Sequence, residues 1–203
     1  MMNKKTRNTE AVILEAAKHV FQRKGMDGAR MQEIADEAGI NKAMLHYYYK
    51  SKQQLFMAVF KSTFALLAPQ LFEILNDNGS LEEKIRQLVE RHISFMMVQP
   101  DLPCFIFQEV NRTPEFVAHV KNELSKVNME KFNCQVQKDV EQKKILPIKG
   151  EQLFINILAL NLFPFLVTPV LNEIINKSNE EFNEMLEDRK TEVADFIIRA
   201  IKV

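Results

Sequence analysis

The chain has 203 residues, 27 Lys/Arg against 27 Asp/Glu, 46% hydrophobic and 27% charged residues, a profile that excludes a disordered chain. Five glycines and seven prolines are too few for the repeated turns of an all-β sandwich or barrel. Two cysteines, Cys104 and Cys134, cannot alone build a disulfide scaffold or a four-ligand zinc site, and they read as free thiols of a reducing cytoplasm.

Helical periodicity runs through nearly the whole sequence. A first helix is expected from Asn8 or Thr9 to Lys24, with Ile13, Ala17, Val20 and Phe21 on one face and Gly25 as its stop. A second runs from Met31 to Ala38, ended by Gly39. A third starts at the capping residue Asn41 and reaches Tyr48. A fourth follows Ser51 and runs towards Phe72 through Leu55, Val59, Phe60, Phe64 and Leu67, with Pro69 expected to kink or end it.

Ser80-Leu-Glu-Glu83 is a capping box opening a fifth helix whose inward row is Leu81, Ile85, Leu88, His92 and Phe95. Pro100 and Pro103 interrupt the chain, and a short helix spans Cys104 to Asn111. Thr113-Pro114 starts a long helix to about residue 144. Glu151 to Thr168 forms another, with a kink expected at Pro164. A short helical turn near 170–176 and a last helix from Asn179 to Lys202 complete the chain. No stretch alternates strictly, so no strand is expected. Leu153 to Leu171 has the length of a membrane span, but Asn156, Asn161, Pro164 and Pro169 interrupt it, and it reads as a helix covered by protein. Nothing at the N-terminus reads as a targeting signal: Met1–Arg7 is basic, and an amphipathic stretch follows it.

Zero net charge conceals a division. Residues 1–61 hold eleven Lys/Arg against six Asp/Glu, and residues 62–203 hold the matching acidic surplus. A basic first quarter on an acidic body suggests a local site for a polyanion. Residues 31–48 within it read helix, tight glycine turn, helix, the composition of a helix-turn-helix. His46-Tyr47-Tyr48-Tyr49-Lys50-Ser51-Lys52 then offers hydroxyls, cations and a helix N-terminus, the donors that hold phosphate oxygens. The plainer alternative makes Tyr48 and Tyr49 core aromatics and His46 and His19 bland surface residues.

Residues 9–56 resemble the DNA-binding domain of TetR-type transcriptional regulators. The resemblance rests on Thr9-Glu10-Ala-Val-Ile13-Leu14-Glu-Ala16-Ala17, Val20-Phe21, Gly25, Glu33-Ile34-Ala35-Asp-Glu-Ala38-Gly39-Ile40 and the run Leu45–Lys52. It implies an all-α fold: a three-helix DNA-binding domain over residues 1–52, then a larger helical domain over 53–203 for effector binding and dimerisation. It assigns Asn41 and Lys42 to the start of a recognition helix, Lys42, Ala43 and Met44 to the groove floor, and His46 to a base or phosphate. It assigns Tyr47, Tyr48 and Lys52 to phosphates. Tyr49 stands where Phe is usual. Ala29 replaces a usual Thr that caps the second helix, and Arg30 is the candidate to replace its phosphate contact.

In the body, the resemblance points to a dimer made by the helix 151–168 and the last helix. The interface residues expected are Phe154, Leu158, Asn161, Phe165, Val193, Phe196, Ile197 and Ala200. His92, Phe95, Phe105, Gln108 and Glu109 are candidates for an effector pocket with apolar walls and a few polar anchors. A lone inward histidine is more often a satisfied core residue. The expected function is a cytoplasmic homodimeric regulator, most often a repressor, that leaves a palindromic operator when a small apolar or amphipathic effector binds. The alternative is a helix-turn-helix protein whose body binds a protein partner. No nucleophile elbow, phosphate loop or metal-ligand spacing appears, and no cofactor, metal, membrane or enzyme activity is expected.

Overall fold

The computed structural model describes residues 4–100, 102–112, 114, 117, 118, 121 and 129–203. Ten helices are described: α1 (Lys4–Gly28), α2 (Met31–Glu37), α3 (Lys42–Tyr48), α4 (Lys52–Asn76), α5 (Leu81–Val98), α6 (Leu102–Arg112), α7 (Met129–Glu141), α8 (Gly150–Leu166), α9 (Thr168–Ile175) and α10 (Asn179–Ile201). The described residues contain no strand, only one isolated antiparallel bridge between Ile145 and Lys202. The chain divides into two compact units, residues 1–66 and 67–203.

The first unit is built on short-range signals. α1 breaks at Gly25, whose φ of 66° belongs to the left-handed region that glycine enters without a steric cost. Ile13, Ala17, Val20 and Phe21 face inward as the periodicity predicts, and Ile34, Ala35, Leu45, Leu55, Phe56, Val59 and Phe60 join them in the core. Phe21 meets Phe56 edge to face at 5.0 Å between ring centres.

The second unit has its own core. α5 and α10 pack along one another, and α8 packs on α5, α6, α7 and α10. Both α5 and α10 begin with a capping box. Ser80 N–H donates to Glu83 Oε2 at 2.8 Å while the Ser80 hydroxyl accepts from Glu83 N–H at 3.2 Å. Ser178 and Glu181 repeat the pattern at 2.8 and 3.2 Å. Each box satisfies two otherwise orphaned groups at a helix start. Behind the boxes, Leu81, Ile85, Leu88, Val89, Ile93 and Met96 of α5 meet Phe182, Leu186, Val193, Ala194, Ile197 and Ile201 of α10 in one cluster.

The possible end of the fourth helix at Pro69 is corrected. α4 does not end near Phe72; it continues past Pro69 to Asn76. One proline removes one intrahelical bond, and the far end of α4 is held from outside. Lys84, buried on α5, donates to Leu75 O at 3.1 Å, and Lys131 of α7 donates to Asn76 O and to Asn78 Oδ1. Two ammonium groups thus meet the carbonyl end of the helix, where positive charge is favoured. In the region of Pro164 the bend falls later, at Val167 (φ −125°, ψ 22°), and α8 and α9 meet there at 78°.

α8 runs through Pro164 because the carbonyl orphaned by the proline finds another donor. Pro164 has no N–H for Leu160 O, four residues earlier. Arg189 of α10 reaches it instead, Nη2 to Leu160 O at 2.8 Å. The Thr168 hydroxyl donates to Pro164 O at 2.8 Å, and the Cys104 thiol approaches Phe165 O and Leu166 O, each at 3.5 Å. α6 starts at Leu102 and takes Pro103 into its first turn, where a missing N–H does no harm. The expected start of a long helix at Thr113-Pro114 lies mostly outside the described residues; its described end is Glu141. Among the described residues no single helix is long and apolar enough to cross a membrane.

Candidate nucleic-acid interface

The α2–α3 corner closes with its own hydrogen bonds. Gly39 has φ 66°, Ile40 N–H donates to Ala35 O at 3.0 Å, and Gly39 N–H donates to Asp36 O at 3.1 Å. These two bonds form a Schellman motif, which needs a left-handed residue at the position of Gly39. Two residues later Asn41 caps α3, its Oδ1 accepting from Met44 N–H at 2.7 Å. Buried Ile34, Ala35 and Leu45 lock the two helices together from within. The corner is fully specified by residues 34–45.

Locking Leu45 inward turns the rest of α3 outward. Arg30, Asn41, Lys42, Ala43, Met44 and His46 are exposed, and Tyr47 is 82% exposed. An aromatic ring left so open gains nothing from burial in this chain and offers a hydroxyl and a flat face to a partner. Tyr48 is half-buried and stands edge-on to Tyr47 at 5.7 Å. Among the described residues Arg30, Lys42 and Lys50 form no ion pair. Two of the acids nearby are already matched. Glu33 accepts from Lys24 at 2.7 Å, Glu37 is bridged by Arg23, and these bonds hold both carboxyls below the usual range. The outward face therefore carries cations that form no ion pair among the described residues, beside two carboxylates already held by Lys24 and Arg23.

α2 has Arg30 at its cap position, and no side chain accepts from its first N–H groups; only the Arg30 N–H is served, by Glu33 Oε2 at 3.3 Å. Ala29, in the place of a capping threonine, is buried. Tyr49 is a core ring whose hydroxyl donates to Glu10 Oε1 at 3.3 Å, and burial together with Glu10 pushes its phenol up. Lys52 is turned towards the protein, its ammonium donating to Asp27 O at 3.2 Å and Ala29 O at 3.0 Å. Neither tie has a local sequence signal, because both join residues more than twenty positions apart.

The body residues divide by burial. Asn161, Phe165, Val193 and Ile197, expected at a dimer interface, are at most 4% exposed within their own chain, so they have almost no surface to give a partner. The stripe on α10 turns inward on α5 at these positions. Phe154 and Leu158 are half-buried, and Phe196 and Ala200 are exposed. Ile155, Ala159 and Phe163, at helical spacing on α8, are also exposed, and the sequence reading did not single out this row. His92 is buried, with Nδ1 3.3 Å from Asn161 Nδ2, and Phe95 is half-buried. Burial pushes the His92 imidazole down to about 4, so it is neutral at pH 7. Asn161 Oδ1 has no partner among the described residues. The side chains of Phe105, Gln108 and Glu109 lie outside the described ones. No group of three or more His, Cys, Asp or Glu among the described residues could hold a metal ion.

Residues 13–59 match the family model described as bacterial regulatory proteins, tetR family. The chain is 24% identical to the probable HTH-type transcriptional regulator YttP of Bacillus subtilis over 171 residues, 83% of this chain and 82% of that protein. It is 31% identical to the HTH-type transcriptional repressor NicS of Pseudomonas putida over 111 residues, 55% of this chain but only 46% of that protein. Its fold is similar to the crystal structure of the transcriptional regulator FadR from Bacillus subtilis in complex with stearoyl-CoA. The TM-score is 0.70 at 17% identity, covering 94% of this chain and 98% of that one.

Proposed function

We propose, from the premise that this chain belongs to the TetR family of bacterial regulatory proteins and is a DNA-binding transcriptional regulator, that it acts as a homodimeric repressor. The relatives are regulators and not enzymes. One observation carries the DNA-facing part: α3 is held rigidly by its inward Leu45 and its Asn41 cap while Lys42, Met44, His46 and Tyr47 stand exposed. In this reading α3 enters the major groove, Met44 lies against base edges or a thymine methyl, and Lys42, Tyr47 and Tyr48 hold phosphates. Arg30 and the uncapped start of α2 take a flanking phosphate. Lys52 acts by ordering the α1–α2 junction and bears on DNA only through its charge.

The exposed rows Ile155–Ala159–Phe163 on α8 and Phe196–Ala200 on α10 support a homodimer. Two copies would bury both rows in a four-helix contact, with Phe154 and Leu158 at its margin. Such a dimer would set its recognition helices about 34–36 Å apart, which calls for a palindromic operator. For the effector, the buried His92 supports a small apolar or amphipathic molecule: a neutral imidazole attracts no charge, and Asn161 Oδ1 beside it has no donor among the described residues. Its effect on DNA affinity would be bounded by its differential binding, typically about 1–3 kcal/mol. A second reading, in which the body binds a protein, draws on exposed Val170 and Ile174 of α9.

The test is titration of the protein's own upstream DNA, against scrambled DNA and over a salt series. Lys42→Ala should weaken binding on all sequences and flatten the slope of log K against log salt by about one unit. Tyr47→Phe should also weaken binding. If both variants bind like the parent, α3 is not the reading helix.

A further inference from the structure

A groove of about 430 Å3 opens in the second unit where the start of α5, the end of α7, Lys144–Ile145 and the end of α10 converge. That volume lies within the range of small-ligand sites. Half-buried Ile145 and Ile198 give the groove its apolar face, backed by the buried side chains of Leu81, Ile85 and Ile201. The walls are tied to one another: Ile145 and Lys202 make the isolated bridge, and Leu146 N–H donates to Ile201 O at 2.7 Å. The shape therefore exists without a ligand.

The rim decides what fits. It carries Lys138, Lys144 and Lys202 against Glu82 and Asp139. Both acids already have cations, Glu82 with Arg86 at 3.0 Å and Asp139 with Lys144 at 3.4 Å. The ammonium groups of Lys138 and Lys202 have no acceptor among the described residues. Polar groups elsewhere on the wall are served, the Ser80 hydroxyl by Glu83 and the Gly79 carbonyl by Gln135 Nε2 at 2.9 Å. We propose that this groove binds a small amphipathic anion, a carboxylate on a short apolar tail. The tail lies on Ile145 and Ile198, and the carboxylate accepts from Lys138 and Lys202. A neutral ligand of the same shape forgoes the two charge-assisted bonds, and a cation meets the surplus positive charge.

The site is separate from His92 and does not rest on the DNA-binding reading, so it is tested on the full chain without DNA. Isoleucine-methyl NMR spectra are recorded during titration with octanoate and, separately, with octanol. Octanoate should saturably shift the methyls of Ile145, Ile198 and Ile201. Octanol should bind at least about tenfold more weakly. The double variant Lys138→Gln/Lys202→Gln, which changes exposed side chains only, should lose a similar factor for octanoate while its melting temperature stays put. Ile198→Trp, which fills the groove, should abolish the shifts, whereas His92→Gln should leave them. Shifts confined to other isoleucines would overturn the proposal. So would equal affinity for octanol, an undiminished affinity of the lysine variant, or the absence of any saturable shift.

Discussion

Replacing Arg189 by Met isolates the cost of the carbonyl that Pro164 leaves without a helical donor. The guanidinium donates to Leu160 O at 2.8 Å, and Met keeps most of the side chain's volume while removing every donor. A fully buried acceptor stripped of its partner costs about 1–3 kcal/mol, and this bond from a charged donor is part-buried, which places it in the middle of that range. We expect Arg189→Met to cost about 2 kcal/mol, which lowers the melting temperature of a chain this size by roughly 4–8 °C. The reasoning makes a sharper claim about the pair. Pro164→Ala restores an N–H at position 164, so Leu160 O regains its own helical donor. In that background Arg189→Met should cost about 1 kcal/mol less. Urea denaturation of parent, two single variants and the double variant, followed by circular dichroism at matched protein concentration, gives the coupling directly. If Arg189→Met costs as much in the Pro164→Ala background as in the parent, the arginine is not the substitute donor and α8 tolerates its proline for another reason.

Asn41→Ala removes the α3 cap and should destabilise the chain by about 1 kcal/mol while weakening DNA binding; paired urea and DNA titrations check both effects. Gly150→Ala would drive a Cβ into Asn133 Oδ1 and set it 2.9 Å from Asn133 Cα. It should cost about 1–3 kcal/mol by forcing α7 and α8 apart, so an unchanged melting temperature would contradict the close approach. His92 gives a pH dependence of definite sign. Its folded value of about 4 lies below the ordinary 6.5, so the unfolded chain binds the extra proton and stability falls as pH drops from about 6.5 to 4. The full loss is about 3 kcal/mol. His92→Gln should flatten that acid limb in urea melts from pH 7 to 4, and an unaltered slope would assign the acid sensitivity to other groups.

Most helix ends were legible because their signals are local. Asn41, Ser80 and Gly39 each act on bonds within five residues, so the sequence alone carries the whole geometry. The possible end at Pro69 misled for the converse reason. The local rule allows a break there, but the groups that hold the far end of α4, Lys84 and Lys131, come from distant segments, as does Arg189, which serves the carbonyl freed by Pro164 in α8. Periodicity marked the apolar stripe of α10 without saying whose surface would cover it. Val193 and Ile197 turn to α5 of the same chain, while Phe196 and Ala200 remain outside. The outward face of α3 was readable once Leu45 was placed inside. The inward turn of Lys52 was not, because its acceptors are backbone carbonyls with no side-chain identity to read.

Those two carbonyls bear on how the protein can be cut and rejoined. Lys52 ties the first turn of α4 to the backbone at Asp27 and Ala29, and Leu55, Phe56, Val59 and Phe60 beyond it belong to the same core as Phe21 and Ile34. A chimera joined at residue 52 would graft a reading head without the helix that closes its underside, and it would arrive with an open apolar seam. A junction after residue 66 carries the seam with it. Exchange of operator specificity between relatives should therefore succeed with the longer segment and yield insoluble hybrids with the shorter one.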